Sequence, residues 1–135
     1  KPENAFVAQF IGENNTLEGF IEDIKNGVAL VKLDNGDVID AKPINVSTKG
    51  ERTRVSIRPE RVEFRKDRLK EGAHLLNAEV LEVIYMGDIL RTRLNVAGNT
   101  EFVVKTRNAP DQTRLNVGEI IEIGWLPEDC RALDA

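Results

Sequence analysis

An all-β fold is predicted: two small barrels in tandem behind a short N-terminal helix. Three observations point there. Runs of aliphatic residues alternate with polar ones and are punctuated by Asn-Gly, Gly-Asp and Gly-Asn turns. Aromatic residues are only 5% of the 135-residue chain, so the core must rest on Val, Ile and Leu, which favours strands. A strand-then-proline corner occurs twice, at Val55-Ser56-Ile57-Arg58-Pro59-Glu60 and at Ile123-Gly124-Trp125-Leu126-Pro127-Glu128. Proline fixes φ and removes a ladder donor, so pairing must end or shift at each corner. The repetition suggests two similar β units.

Residues 2–12 carry the helical pattern. Pro2 suits a first helical position and Gly12 a C-terminal cap, with Phe6, Val7, Phe10 and Ile11 on one stripe. Asn14-Asn15 then breaks the chain. Strands are predicted at Leu17–Ile24, Val28–Leu33 and Val38–Ile39, joined by Asn26-Gly27 and Asp34-Asn35-Gly36-Asp37. Asn-Gly between apolar runs is a strong hairpin signal, because both residues tolerate positive φ. The three strands form a meander that Pro43 ends. Arg52–Ile57 is the next strand, and Arg61–Phe64 a short extension past the corner.

A charged linker, residues 65–72, separates the units. The second continues with Ala78–Tyr85, a turn at Gly87-Asp88, and Ile89–Val96, where Leu90, Thr92, Leu94 and Val96 share one face. Thr100–Lys105 and Ile120–Trp125 follow. Five-stranded OB-like barrels fit both units. The predicted organisation is a linker helix over 1–15, one OB-like unit over 16–70 and another over 71–135. The tail 130–135 is the fifth strand of one unit, and the pattern leaves open which.

Composition excludes several classes. Hydrophobic content of 41% with 31% charged residues argues for a soluble globular chain. A net charge of −4 disfavours general nucleic-acid binding, where phosphate contacts dominate. No apolar run approaches the roughly 18 residues of a membrane span. No secretory leader is visible. The single cysteine, Cys130, forbids an internal disulfide and suits a reducing cytoplasm. Starting at Lys1 rather than Met, the chain is expected to be a processed product or a cut piece of a longer protein.

Catalytic and metal motifs are not apparent. No glycine is followed by lysine, so there is no phosphate-binding loop. The sole histidine, His74, has no carboxylate or nucleophile that the sequence assigns to it, and reads as a solvated loop residue. Asp34, Asp37 and Asp40 have the wrong spacing for a calcium loop. The basic stretch from Arg52 to Lys70 is interrupted by Glu60, Glu63, Asp67 and Glu71, with Phe64 alone to stack on a base, and reads as a solvated charged face. Tyr85-Met86-Gly87-Asp88 is either an ordinary hairpin turn or a contact surface, since Met adapts to a partner. Trp125 reads as a core plug rather than an interface anchor.

A family resemblance extends over nearly the whole chain. Ser56–Val62, with its Arg58-Pro59-Glu60 core, resembles the signature of the TOBE domain, the transport-associated OB-like module at the C-terminus of some ABC-importer ATPases. Pro2–Asn15 resembles the segment joining the ATPase domain to that module. Glu82–Leu94 is similar to a strand pair around its Tyr-x-Gly turn. Gly118–Ala135, with Gly124-Trp125-Leu126-Pro127-Glu128-Asp129, resembles the terminal segment of spermidine/putrescine importer ATPases. Importers of sugars, iron and thiosulfate share much of this pattern.

The resemblance implies a regulatory and dimerisation domain with no catalytic, metal or cofactor residue of its own. ATP and magnesium belong to the parent subunit, an ABC-type transport ATPase. Implied partners are a second ATPase copy, the membrane permease subunits and a small-molecule regulator, with no nucleic acid. Implied location is the cytoplasmic face of the plasma membrane. Arg58, Pro59, Glu60, Gly87, Trp125, Pro127 and Glu128 are the architectural motif residues, and Tyr85, Met86 and Asp88 the candidate interface. An oxyanion or small-ligand sensor is the alternative, because related double-OB modules bind molybdate.

Overall fold

The computed structural model describes residues 13–64, 69, 74–110 and 114–135. The helix expected over 2–12 and most of the linker lie outside these. The described chain is all-β, with nine strands. They are β1 (Asn15–Lys25), β2 (Val28–Leu33), β3 (Val38–Pro43), β4 (Arg52–Ile57), β5 (Leu76–Met86), β6 (Ile89–Val96), β7 (Asn99–Arg107), β8 (Ile120–Ile123) and β9 (Cys130–Asp134).

Turn chemistry sets the meander. Asn26 and Gly27 both adopt positive φ, at 54° and 76°, the pattern of the turn whose twist matches its flanking strands. β1 therefore folds straight back on β2, and β2 on β3. Along β1, Asn15, Leu17, Gly19 and Ile21 point inward and are buried. Gly19 is required by close approach. A Cβ there would sit 2.9 Å from Leu33 Cα and collide with the Lys32 carbonyl, both backbone atoms that cannot swing aside. Gly19→Ala is expected to cost about 3 kcal/mol and about 10 °C of melting temperature, followed by circular dichroism. A melt unchanged from the native chain would refute the clash.

The tail resolves the open question. β9 inserts between β3 and β4, closing a barrel in the order β1-β2-β3-β9-β4. It runs parallel to β3 and antiparallel to β4, where Ile57 pairs with Cys130 and Thr53 with Asp134. The span 71–135 expected for the second unit is corrected accordingly: residues 130–134 belong to the first. The reason is pairing: β4 and β3 each have a free edge, and alternate residues Cys130 and Ala132 are fully buried between them.

The second sheet keeps four strands, in the order β7-β6-β5-β8. It is an insertion between neighbouring strands of the first barrel, leaving after β4 and returning at β9. One continuous apolar cluster joins both units, from Ile21, Val31 and Val55 through Phe102, Leu94 and Trp125. At the β7 edge the side chain of buried Asn15 acts as a short strand. Its Nδ2 donates to the Val103 carbonyl at 2.7 Å, and its Oδ1 accepts from the Val103 N–H at 2.8 Å.

Candidate interaction site: two proline corners and the β5–β6 hairpin

The two proline corners have the same conformation. Each is a single 3-10 turn with proline first, Pro59–Arg61 and Pro127–Asp129. The residues ahead of them match closely: Arg58 at φ −73°, ψ 142°, and Leu126 at φ −76°, ψ 142°. Extended backbone before proline is what its ring enforces. One hydrogen bond closes each turn, Arg61 N–H to the Arg58 carbonyl and Asp129 N–H to the Leu126 carbonyl.

Their position explains the repetition. Ile57 and Cys130 are paired neighbours on β4 and β9, so the exit and the re-entry of the chain lie side by side. Glu63 and Gly124 exchange two backbone hydrogen bonds, at 2.8 and 3.0 Å, tying the two crossing segments together. Arg61 Nε lies 4.0 Å from Asp129 Oδ1 across the corners. Pro59 is buried, Arg58, Glu60 and Glu128 are exposed, and Pro127 is half-buried. Pro127 and Glu128 also line an open pocket of about 250 Å³ with Gly27, Val28 and Lys42.

Trp125 is a core residue. It is 4% exposed, stacks on Phe102 at 6.4 Å between ring centres, and donates from Nε1 to the Asp40 carbonyl at 3.3 Å. Asp40 is held from the second unit twice, since its carboxylate lies 3.1 Å from His74 Nδ1. His74 is an exposed loop residue, as the sequence reads, but β3 brings it a carboxylate from far along the chain. Buried Cys130 is no nucleophile, because desolvation pushes its thiol far above the ordinary range.

The basic residues from Arg52 to Arg61 have carboxylates beside them. Arg52 makes two hydrogen bonds to Asp34, at 2.7 and 3.1 Å, and Arg54 bonds Glu18 at 2.6 Å. The Arg52 hydrogen bond holds the Asp34 carboxyl below its usual range. Arg58 lies 4.0 Å from Glu60. These pairings fit the charged-face reading of the stretch.

The β5–β6 hairpin turns on Gly87 and Asp88, with Gly87 at φ 70°. Asn108 fastens the turn, donating from its amide to the Gly87 carbonyl at 3.2 Å and from its N–H to the Asp88 carbonyl at 2.9 Å. Tyr85 and Met86 are each 55% exposed and Asp88 is exposed. The pleat divides them. Met86 pairs with Ile89, and Ile84 with Arg91, on the outer face; Tyr85 pairs with Leu90 on the inner face. On that inner face the hydroxyls of Thr92 and Thr106 are buried with no hydrogen-bond partner.

Sequence reasoning missed Asn15, Asp40 and the pair formed by Arg61 and Asp129. Asn15 carried a signal: it opens the alternation continued by Leu17, Gly19 and Ile21, which puts a polar residue on the buried face. Among the described residues, no helix is long and apolar enough to cross a membrane, and no group of three His, Cys, Asp or Glu side chains could hold a metal.

Comparison with known proteins agrees with this architecture. Residues 55–133 match the family profile described as the TOBE domain. That span runs from β4 through the second sheet to β9. The chain is 33% identical over 119 residues to the spermidine/putrescine import ATP-binding protein PotA of Pseudomonas fluorescens, covering 87% of this chain and 31% of that protein. It is 29% identical over 134 residues to PotA of Rubrobacter xylanophilus, covering 98% of this chain and 34% of that protein. The chain thus spans a minority of the length of the curated relatives it matches. A crystal structure of the cytoplasmic molybdate-binding protein ModG, with molybdate bound, superposes with a TM-score of 0.74 at 14% identity, over 90% of this chain and 96% of that one.

Proposed function

Because this chain belongs to the TOBE domain family, we propose that it is the regulatory and dimerisation module of an ABC-importer ATP-binding subunit, one that serves polyamine uptake. The observation carrying this reading is the joint match: the family profile over 55–133 and similarity to polyamine-import ATP-binding proteins across nearly the whole chain. ATP and magnesium chemistry then belongs to the remainder of the parent subunit. The partners are a second ATPase copy and, through the parent, the membrane permease. The working location is the cytoplasmic face of the membrane.

The mechanism is effective concentration. A lasting contact between two such modules keeps both subunits together while their nucleotide domains separate, so reclosure is intramolecular. A regulator that binds one arrangement better shifts the open–closed balance. The rigid double crossing at the two proline corners suits this work, since a load on one sheet passes to the other through two tied segments. Tyr85, Met86 and Asp88 at the hairpin tip are the residues this reading assigns to the partner.

Deleting residues 13–135 from the full-length subunit is expected to weaken its dimer and to alter regulation of its ATPase. Unchanged dimerisation, ATPase rate and transport after that deletion would reject the reading.

A second reading has one observation in its favour. The unpartnered hydroxyls of Thr92 and Thr106 are a cost of roughly 1–3 kcal/mol each that a hydrogen-bonding ligand would relieve. Molybdate and spermidine titrated by calorimetry test it. Heat lost in Thr92→Val supports a ligand there, and a flat titration removes this reading.

A further inference from the structure

The far half of β5 is a sheet edge with no strand beside it among the described residues. β8 and the turn before it cover β5 only from Leu76 to Val80, where Val80 donates its N–H to the Glu119 carbonyl and accepts from the Gly118 N–H. Past the irregularity between Val80 and Glu82, strand register decides which way each peptide group points. Met86 pairs directly with Ile89 across the two-residue turn, so its N–H and carbonyl face β6. Those of Ile84 and Glu82 face β6 too, because the direction alternates along an antiparallel strand. The N–H and carbonyl of Val83 and of Tyr85 therefore point outward, into an unpaired edge.

Soluble proteins blunt such edges with charge, proline or a cover. The opposite edge of this sheet follows that rule. Along β7, the Asn15 side chain occupies both backbone groups of Val103, and Lys105 and Arg107 carry charge beyond it. The segment Val83-Ile84-Tyr85-Met86 has neither charge nor proline. Its side chains are apolar or aromatic on both faces, with Ile84 and Met86 on the outer face and Tyr85 on the inner. Ile120, exposed at the start of β8, shares the outer face through its pairing with Glu79.

We propose that this edge pairs with itself: β5 of one chain lies antiparallel to β5 of a second copy, about a twofold axis at Ile84. The proposal names the surface for the dimerisation reading above and rests on that reading. Self-complementarity selects the second copy. In this register Val83 meets Tyr85 of the copy and Tyr85 meets its Val83, so every outward N–H finds a carbonyl and every outward carbonyl an N–H. Ile84 faces its own copy across the axis, and Met86 is carried toward the copy's Ile120. On the inner face Tyr85 lies beside the copy's Val83. Charge permits the join. Arg91 stands one strand behind Ile84, so the two copies of Arg91 are three strand spacings of about 4.8 Å apart. Glu13 binds Arg91 at 2.8 Å, and Glu82 binds Arg93 at 3.4 Å, so neither arginine brings an unpaired charge to the axis. The result fuses two four-stranded sheets into one continuous sheet.

Oxidative cross-linking of the 135-residue chain tests the pairing. A residue facing its own copy in a non-hydrogen-bonded antiparallel pair has Cα atoms about 4.5 Å apart, within disulfide range. Ile84→Cys is expected to form a disulfide-linked dimer about tenfold faster or more than Ile44→Cys, the control. Ile44 follows β3 in the first barrel and is the more exposed of the two, 49% against 37%. Cys130 is buried and competes in neither variant. Adding Val83→Pro to Ile84→Cys removes one outward N–H and no bond of the β5–β6 ladder, and should lower the rate to that of the control. Circular dichroism verifies that each variant keeps the fold. A second measurement uses the native chain. Hydrogen exchange at the Val83 and Tyr85 amides should slow as protein concentration rises from micromolar to millimolar, while Arg107 on the β7 edge exchanges at a constant rate. Equal cross-linking rates together with concentration-independent exchange would overturn the pairing. So would a chain that sediments as a dimer while Val83 and Tyr85 exchange as in the monomer, a result that leaves the dimerisation reading standing on another surface.

Discussion

Removal of residues 130–135 is expected to abolish cooperative folding of the first barrel. β9 supplies the strand between β3 and β4, pairing with β4 at five positions from Thr53↔Asp134 to Ile57↔Cys130. Without it, the barrel opens along two edges, and the apolar surface around Ile39, Val55 and Ile57 loses Cys130 and Ala132, both fully buried. Three tethers go as well: Thr53 Oγ1 to the Leu133 carbonyl at 2.7 Å, the Ile44 N–H to the Ala132 carbonyl at 3.0 Å, and the paired side chains of Asn45 and Asp134. Losing a central strand exceeds the stability of an ordinary domain, roughly 5–15 kcal/mol. Thermal denaturation by circular dichroism should lose its sigmoidal transition. A shortened chain melting within a few degrees of the native one would mean that β9 is dispensable to the barrel.

Asn15→Leu is expected to destabilise the chain by roughly 2–4 kcal/mol, because it strands the buried N–H and carbonyl of Val103 together. Leucine keeps the volume and the burial of this 3%-exposed site, so the loss isolates the two hydrogen bonds. The effect should be local. Amide exchange at Val103 should accelerate more than exchange at the β1–β2 pairs, because Asn15 seals the β7 edge. Asn99→Ala is the control. It removes two exposed bonds, one to the Thr16 carbonyl and one from the Glu101 N–H, and should cost about 1 kcal/mol. Equal effects from the two substitutions would mean that Asn15 serves only as packing.

Most elements were legible along the chain. Arg52–Ile57 is bounded in the structure as alternation predicts, and the inward face of β6 is the predicted Leu90, Thr92, Leu94 and Val96. These are local properties: period-2 burial, a turn that needs positive φ, a proline that ends pairing. The charged-face reading of Arg52 to Lys70 rested on acids close in sequence, whereas Arg52, Arg54 and Arg61 meet Asp34, Glu18 and Asp129, which lie far from them along the chain. His74 and Asp40 were not legible as a pair, since residues 34 apart meet only after β3 is seated beside the second unit. Asn15 was read as a chain break because its partners on Val103 are 88 residues away.

The strands, the turns and the repeated proline corner are determined by the sequence itself, because each depends on residues within a few positions of one another, and the family membership by their order along the chain. The tertiary structure alone decided that the two units are nested rather than sequential. An apolar strand such as Cys130–Asp134 states only that it must be buried on alternate residues. Which edge it completes depends on where β3 and β4 leave a gap, and that gap exists only once the chain has left the first barrel, built the second sheet and returned beside its own point of departure.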